Sequence, residues 1–271
     1  MRLKCVKLDP TGNITVLVTD PVPRERQREV ALRLLDPERM GGEQAGFVEA
    51  PLEGRCDARL QMMGGEFCGN ATMSLGALIA RDRGLADGAS LDLDLEVSGA
   101  DGPVACRITR SGEGFIGRVA MPLPLQIGQM RLDADGTALS ARLVRFPGIA
   151  HLIVPASRCP EEAILRKCMP AWCGIIGADA LGVLAWDEGA RSIDPIVYVP
   201  SAGTLIREHG CGSGTAAIGC AIAGTEGKSI DLPVRQSGGI ITVSAQVRWK
   251  AISALSITGK VTVVREDTVE V

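Results

Sequence analysis

Residues 68–80 read CGNATMSLGALIA, and residues 211–223 read CGSGTAAIGCAIA. The two stretches begin 143 residues apart (211 − 68) and are identical at six of thirteen positions. Both carry small or apolar residues on nearly every face of the helix they would form, and a helix without a polar face is buried. The repeat therefore predicts two buried helices, one in each half of the chain.

Three weaker pairs of segments keep the same order along the chain, at offsets of 135 to 139 residues. Coincidence among segments rich in glycine and alanine is the alternative explanation. The preserved order and spacing favour an internal duplication. The pairs are Gly12 and Gly148, each before an apolar run, GEQAGFV (42–48) and GADALGVL (177–184), and the dipeptides Ser98-Gly99 and Ser237-Gly238.

Short runs with β-strand character surround the two predicted helices. A polar helix near 24–35 and a counterpart at 160–172 complete the pattern. The strand-like runs are 2–8, 14–19, 46–50, 91–97, 103–109 and 115–121 in the first half, and 141–146, 150–154, 182–186, 195–199, 240–248 and 253–265 in the second.

The pattern predicts an α+β fold of two pseudo-symmetric domains, each a curved β-sheet or barrel wrapped around a central buried helix. Two prolines interrupt the pattern at Met121-Pro122-Leu123-Pro124, so we place the domain boundary there. The predicted domains are residues 1–122 and 123–257.

Composition excludes several classes of protein. An apolar content of 46% indicates a globular chain, and a net charge of −3 without charge runs gives no reason to expect a nucleic-acid or membrane partner. The N-terminus has no signal-peptide pattern, which predicts a cytoplasmic protein. Nine cysteines, an odd number, argue against a disulfide framework. The thiols are therefore fillers, metal ligands or catalysts.

Cys68 and Cys211 precede the two buried helices. The dipole and unpaired N–H groups of a helix N-terminus stabilise a thiolate and can hold a substrate carboxylate. One such thiol from each half, facing each other across an interdomain cleft, suits inversion of a carbon centre, because one removes a proton while the other delivers one. The alternatives are that both cysteines are small buried residues, or that they form an oxidisable pair in a redox or binding protein.

The chain resembles the cofactor-independent amino-acid racemases and epimerases with the diaminopimelate epimerase fold. Within them it is most similar to the histidine racemases of opine-metallophore biosynthesis. The resemblance spans nearly the whole chain, and CGNA with a downstream CGSGT is its most specific feature. The segments that carry it are DPTGNITVLV (9–18), GGEQAGFVE (41–49), MMGGEFCGNATMS (62–74), LIREHGCGSGTAAIG (205–219), RQSGGIITV (235–243) and ITGKVTVV (257–264).

The resemblance implies interconversion of L- and D-histidine by two cysteines, Cys68 and Cys211. It implies no pyridoxal phosphate, metal or nucleotide, and a homodimer acting on a small amino-acid substrate. It also implies that a last strand, within 258–271, returns to complete the first domain. Other isomerases of the fold, of the proline or diaminopimelate type, remain alternatives.

Several residues next to these motifs are candidate substrate contacts. We expect the backbone N–H groups of Gly69, Asn70, Gly212 and Ser213 to hold the α-carboxylate. Asn13 matches the substrate-contacting asparagine of the family and could equally be a turn residue. Glu43 and Glu208, with Gln44 as a weaker candidate, are acidic or amide groups for the ammonium and imidazole, and solvated loop residues are the alternative. His209 either tunes Cys211, touches substrate, or does neither.

Departures from the diaminopimelate epimerases concern the second amino-acid group of their substrate. Their Gly-Asn-Pro-His type of motif is replaced by Gly148-Ile149-Ala150-His151, and Glu208 is followed by His209 where they carry arginine. The residues that would bind a second amino-acid group of the substrate are therefore missing. His151 and the remaining cysteines fit no common zinc spacing. His151 is interpreted as a core or cleft residue, and the cysteines as fillers of the core.

Overall fold

The computed structural model describes residues 1–52, 54–200 and 203–271. The chain divides into two compact units, the first formed by Met1–Met121 with Ile257–Val271 and the second by Pro122–Ser256. Sheet dominates both units, so the predicted α+β class is confirmed. No helix in the described ranges is long and apolar enough to cross a membrane.

In its described residues, the first unit forms a ring of eight strands around a central helix. Its strands are connected in the order β1 to β7, and the ring closes because β16 neighbours β7 and pairs antiparallel with β1. The elements are β1 (Arg2–Pro10), β2 (Thr15–Val18), α1 (Arg24–Leu34), β3 (Gln44–Glu49), β4 (Ala58–Met62), α2 (Gly69–Asp82), β5 (Ser90–Val97), β6 (Val104–Ser111), β7 (Gly114–Ala120) and the part of β16 (Ala251–Glu270) after residue 256.

Helix α2 is the central helix of this ring. Nearly every residue from Gly69 to Ala80 is buried, as a helix of small and apolar residues requires. Gly76 lets the helix approach β6, because a Cβ atom there would lie 2.8 Å from Ile108 Cγ1 and 2.9 Å from Cys106 Sγ. Helix α1 packs on a separate cluster of apolar side chains from β1, β2 and β3.

The second unit repeats the motif of a sheet with a buried helix. Its strands run in the order β15-β14-β12-β11-β10-β9-β8, with β13 paired to β12. The elements are β8 (Gln126–Ala134), β9 (Thr137–Phe146), β10 (Ile149–Pro155), a short 3-10 turn (Ala156–Arg158), α3 (Glu162–Ile176), β11 (Ala180–Asp187), β12 (Ser192–Val199), β13 (Thr204–Arg207), α4 (Gly212–Glu226), β14 (Ile230–Gln236) and β15 (Gly239–Arg248).

Helix α4, like α2, packs closely against a strand through a glycine. Gly219 occupies the position that corresponds to Gly76, eight residues after the cysteine, and a Cβ atom there would lie 2.4 Å from Val243 Cγ2. Helix α3 packs on the apolar cluster contributed by β8 to β12. The two repeated stretches therefore form the two central helices, as the sequence predicts.

Four strands were not predicted from the sequence: β4, β8, β13 and β14. Strand β8 has a largely polar sequence in which only Leu132 and Ala134 are buried, so its apolar signal is weak. Strand β14 contains Pro233, which cannot donate a hydrogen bond to a neighbouring strand and argues against a strand. In the described part of the chain, helices α1 to α4 lie where they were predicted, to within four residues at each end.

Candidate active site

Cys68 is the N-cap residue of α2. Its backbone is extended, and its Sγ accepts a hydrogen bond from the N–H of Ala71 at 3.4 Å. Its carbonyl accepts from both the N–H and the hydroxyl of Thr72, at 3.0 and 2.7 Å. The thiol is therefore fixed where the partial positive charge of the helix N-terminus is concentrated.

The backbone leading into Cys68 is held by the dipeptide Ser98-Gly99. The Ser98 hydroxyl donates to the carbonyl of Glu66 at 2.9 Å and accepts from the N–H of Met62 at 3.0 Å. Gly99 has φ +74°, and a Cβ atom there would lie 2.4 Å from the nitrogen of Phe67. Only glycine allows this close approach. The dipeptide thus positions the segment just before the thiol.

A chain of polar side chains ends on Cys68. Asn13 Nδ2 donates to Glu43 Oε2 at 2.6 Å, and Gln44 Nε2 donates to Asn13 Oδ1 at 2.7 Å. Gln44 Oε1 accepts from Cys68 Sγ at 3.1 Å. Asn70 Nδ2 also donates to Asn13 Oδ1, at 3.1 Å. The first unit therefore brings its six predicted site residues, the five named here and Gly69, to one place.

Cys211 is the N-cap residue of α4 and repeats the contacts of Cys68. Its Sγ accepts from the N–H of Gly214 at 3.3 Å, and its carbonyl accepts from the Thr215 hydroxyl at 2.8 Å. Gln236 adds a clamp, because its Oε1 accepts from the Cys211 N–H at 2.6 Å while its Nε2 donates to Thr215 Oγ1 at 2.8 Å. Cys211 is thereby held on both sides of its Cα atom.

The dipeptide Ser237-Gly238 positions the segment before Cys211, as Ser98-Gly99 positions the segment before Cys68. The Gly238 N–H donates to the carbonyl of His209 at 2.8 Å, and Ser237 Oγ lies 2.8 Å from His209 Nδ1. His209 is exposed, and its imidazole is engaged by Ser237. It is not among the groups that act on the Cys211 thiol in the described part of the chain.

Three groups act directly on the Cys211 thiol. Burial, followed by the charge and hydrogen bond of Glu208, raises its pKa well above the ordinary value for cysteine. The Ser213 hydroxyl, 3.6 Å from Sγ, and the Gly214 N–H lower the pKa. Glu208, Cys211, Gly212 and Ser213 are thus neighbours, as predicted, whereas the His209 side chain points to a different partner.

Several positioning residues could not be predicted from the sequence. Gln236 lies in RQSGG, part of a segment that carries the family resemblance, yet nothing in its spacing reveals that it reaches Cys211. Thr15, whose Oγ1 accepts from Gln44 Nε2 at 2.8 Å, gave no signal either. His151, interpreted as a core or cleft residue, is fully buried, with Nε2 2.9 Å from Ser213 Oγ.

A groove of about 1020 Å³ in the second unit lies along the C-terminal half of α4. Ile218, Ile222 and Thr225 line it, and no predicted site residue does. Within the described ranges, no cluster of three or more His, Cys, Asp or Glu side chains is suited to hold a metal ion.

A family model described as the histidine racemase CntK N-terminal domain matches residues 2–269. The chain belongs to the histidine racemase family. Curated histidine racemases include one from Staphylococcus aureus, 28% identical over 266 residues that cover 95% of this chain and 94% of its own, and one from Fusobacterium nucleatum, 28% identical over 221 residues that cover 80% and 79%. Family membership makes this protein an isomerase of the racemase and epimerase class.

Two solved structures share the fold of this chain. A hydroxyproline epimerase from Agrobacterium vitis gives a TM-score of 0.71 at 14% identity, covering 99% of this chain and 91% of its own. A protein from Pseudomonas aeruginosa described as a predicted epimerase gives 0.70 at 16% identity and covers both chains fully. At such identities the likeness shows the shared fold alone.

Proposed function

We propose that this member of the histidine racemase family interconverts L- and D-histidine with Cys68 and Cys211 as its two acid–base groups. The observation that carries the proposal is the duplicated environment of the two thiols. In each unit a cysteine caps the buried central helix, its Sγ accepts from the N–H three residues on, and its carbonyl is held by a threonine hydroxyl.

The proposed reaction needs one thiolate and one thiol at the α-carbon. The thiolate forms an S–H bond as the Cα–H bond breaks, and the electron pair passes into the substrate carboxylate. The other thiol gives its proton to the opposite face of the carbon, which inverts the centre. The two cysteines end with exchanged protonation states, so the reverse reaction or exchange with solvent restores the first.

We assign the substrate carboxylate to the two helix N-termini. The first N–H groups of a helix have no acceptor within the helix, and they stabilise negative charge that grows in the transition state. The relevant groups are the N–H of Gly69 and Asn70 in α2 and of Gly212 and Ser213 in α4. Donors fixed by the fold need no reorganisation as the charge develops.

We assign the basic groups of histidine to Glu43 and Glu208. Glu43 uses Oε2 to accept from Asn13, and a carboxylate has further lone pairs with which to bind an ammonium or imidazolium. A role in opine-metallophore synthesis and a homodimeric state belong to the same proposal. Both rest on the family likeness.

Incubation of the protein with single amino acids in D₂O tests this function. We expect L-histidine to gain deuterium at its α-carbon and to yield D-histidine on chiral chromatography, while L-proline and LL-diaminopimelate remain unlabelled. Labelling of one of the other substrates without labelling of histidine would overturn the substrate assignment.

A further inference from the structure

The donor and acceptor roles in the network around Cys68 are fixed by one charged group. The Glu43 carboxylate only accepts, so Asn13 must turn its Nδ2 toward it, 2.6 Å away. Asn13 Oδ1 then faces the other way and accepts from Gln44 Nε2 and Asn70 Nδ2. The orientation of the Asn13 amide thus follows from Glu43.

The orientation of Gln44 follows in turn. Its Nε2 donates to Asn13 Oδ1 and also to Thr15 Oγ1 at 2.8 Å. The Thr15 hydroxyl donates its own hydrogen to the carbonyl of Asn13 at 3.0 Å, so its oxygen is left as an acceptor for Gln44. Both partners therefore require an N–H₂ group. The carbonyl oxygen Oε1 is left facing Cys68 Sγ at 3.1 Å.

A carbonyl oxygen 3.1 Å from Cys68 Sγ favours the neutral thiol over the thiolate. The neutral thiol donates its S–H to Oε1, whereas a thiolate would place two electron-rich atoms in contact. Rotating the Gln44 amide to present N–H₂ to sulfur would turn Oε1 against Asn13 Oδ1. Rotating Asn13 as well would bring its oxygen against Glu43. Neither the Gln44 amide nor the Asn13 amide can therefore rotate to relieve the contact between Oε1 and a thiolate.

Two features of the helix N-terminus act against this preference. The Ala71 N–H, 3.4 Å from Sγ, and the helix dipole favour the thiolate. The Glu43 carboxylate, which adjoins the network through Asn13, disfavours a second negative charge there.

We infer that Gln44, oriented by Asn13 and Glu43, holds Cys68 as the protonated thiol in the resting protein. Cys68 is then the proton donor of a turnover that starts from this state. That role rests on the proposed two-thiol function, whereas the protonated state of Cys68 rests only on the contacts of Gln44. Gln44 is a positioning residue in this account.

The test is the pH dependence of alkylation by iodoacetamide, which reacts with thiolates, followed for the Cys68 peptide by mass spectrometry. Gln44→Met removes the acceptor, and we expect the midpoint of the profile to move to lower pH and the rate at pH 7.5 to rise about fivefold, the equivalent of one hydrogen bond. Gln44→Glu replaces the amide by an anionic acceptor, and we expect a shift in the opposite direction.

Two controls accompany these variants. The half-buried Cys168 in α3 is an internal standard whose alkylation rate must not change. Thr15→Val removes one acceptor of Gln44 Nε2 and loosens the amide, so it should shift the Cys68 midpoint in the same direction as Gln44→Met by a smaller amount.

Opposite shifts of the Cys68 midpoint in Gln44→Met and Gln44→Glu support the inference. A merely structural role of Gln44 would move the midpoint of both variants in one direction. An unchanged midpoint, or a shift of both variants in the same direction, overturns it. The measurement involves no substrate. Failure to racemise histidine would therefore overturn the proposed function alone, whereas racemisation with an unmoved Cys68 midpoint would overturn this inference alone.

Discussion

His151 Nε2 lies 2.9 Å from Ser213 Oγ, which joins a fully buried imidazole to the residue two positions after Cys211. The ring has room because it lies over Gly182, its partner on β11, where a Cβ atom would be 2.3 Å from Nδ1. Nδ1 has no hydrogen-bond partner in the described part of the chain. A buried N–H without a partner costs more than a bare acceptor, so the hydrogen lies on Nε2, and Ser213 is free to donate toward Cys211.

Burial lowers the pKa of His151 to about 3, from 6.5. Because the folded value lies below the unfolded one, the unfolded chain binds the proton first as pH falls. The contribution of neutral His151 to the unfolding free energy is fully present above about pH 6.5 and is lost as pH falls toward 3. We expect a contribution of about 2 to 3 kcal/mol to the loss of unfolding free energy between pH 7 and 4.5, measured by urea denaturation.

The second histidine of the chain is a matched control for this prediction. His151→Asn should flatten the pH dependence of stability between pH 7 and 4.5, and His209→Asn, which changes an exposed ring, should leave it unaltered. Equal slopes for wild type and His151→Asn would show that His151 is not held neutral by the fold.

Ser213→Ala removes the hydroxyl between His151 and Cys211. The alanine variant loses a donor that lowers the pKa of the Cys211 thiol, so fewer molecules carry the thiolate at neutral pH. We expect racemisation to slow about tenfold and its pH profile to move to higher pH. Ser237→Ala, which removes the hydrogen-bond partner of the exposed His209 ring, should leave the midpoint of the profile in place, and a shift of equal size there would contradict the assignment.

The glycines of the central helices give a prediction on packing. Gly76→Ala and Gly219→Ala place a Cβ atom within 3 Å of side chains on β6 and β15, and we expect each to lower the unfolding free energy by about 1 to 3 kcal/mol. Gly174→Ala in α3 is the control, because its Cβ atom meets nothing within 4 Å. That helix should gain about 0.5 to 1 kcal/mol, since alanine is the better helix former. A loss there would contradict the packing account.

The hairpin between β15 and β16 turns through Trp249 and Lys250, both with positive φ, 53° and 62°. Glycine adopts this conformation without the steric penalty that a side chain incurs. We expect Lys250→Gly to raise the unfolding free energy by about 1 kcal/mol in urea denaturation. Gly112→Ala at the β6–β7 hairpin, where φ is +56°, should act in the opposite direction. If Lys250→Gly and Gly112→Ala change the unfolding free energy in the same direction, backbone strain is excluded as the cause.

The sequence predicted those parts of the fold that a repeated local pattern encodes. The helices α2 and α4, with Cys68 and Cys211 at their first turns, follow from stretches without a polar face. The clamps around the thiols could not be predicted in the same way. Gln236 reaches Cys211 across 25 residues of chain, and Thr15 reaches Gln44 across 29, so only the folded sheet brings them together.

Individual cysteine variants give the most direct test of the two-thiol account. Cys68→Ser and Cys211→Ser, together with Cys168→Ser as control, are each incubated with L- and with D-histidine in D₂O, and α-deuteration and inversion are followed separately. We predict that both active-site variants lose inversion by at least about a hundredfold, that one-sided α-proton exchange survives, and that the control racemises like the wild type. Normal racemisation by both Cys68→Ser and Cys211→Ser would contradict the mechanism.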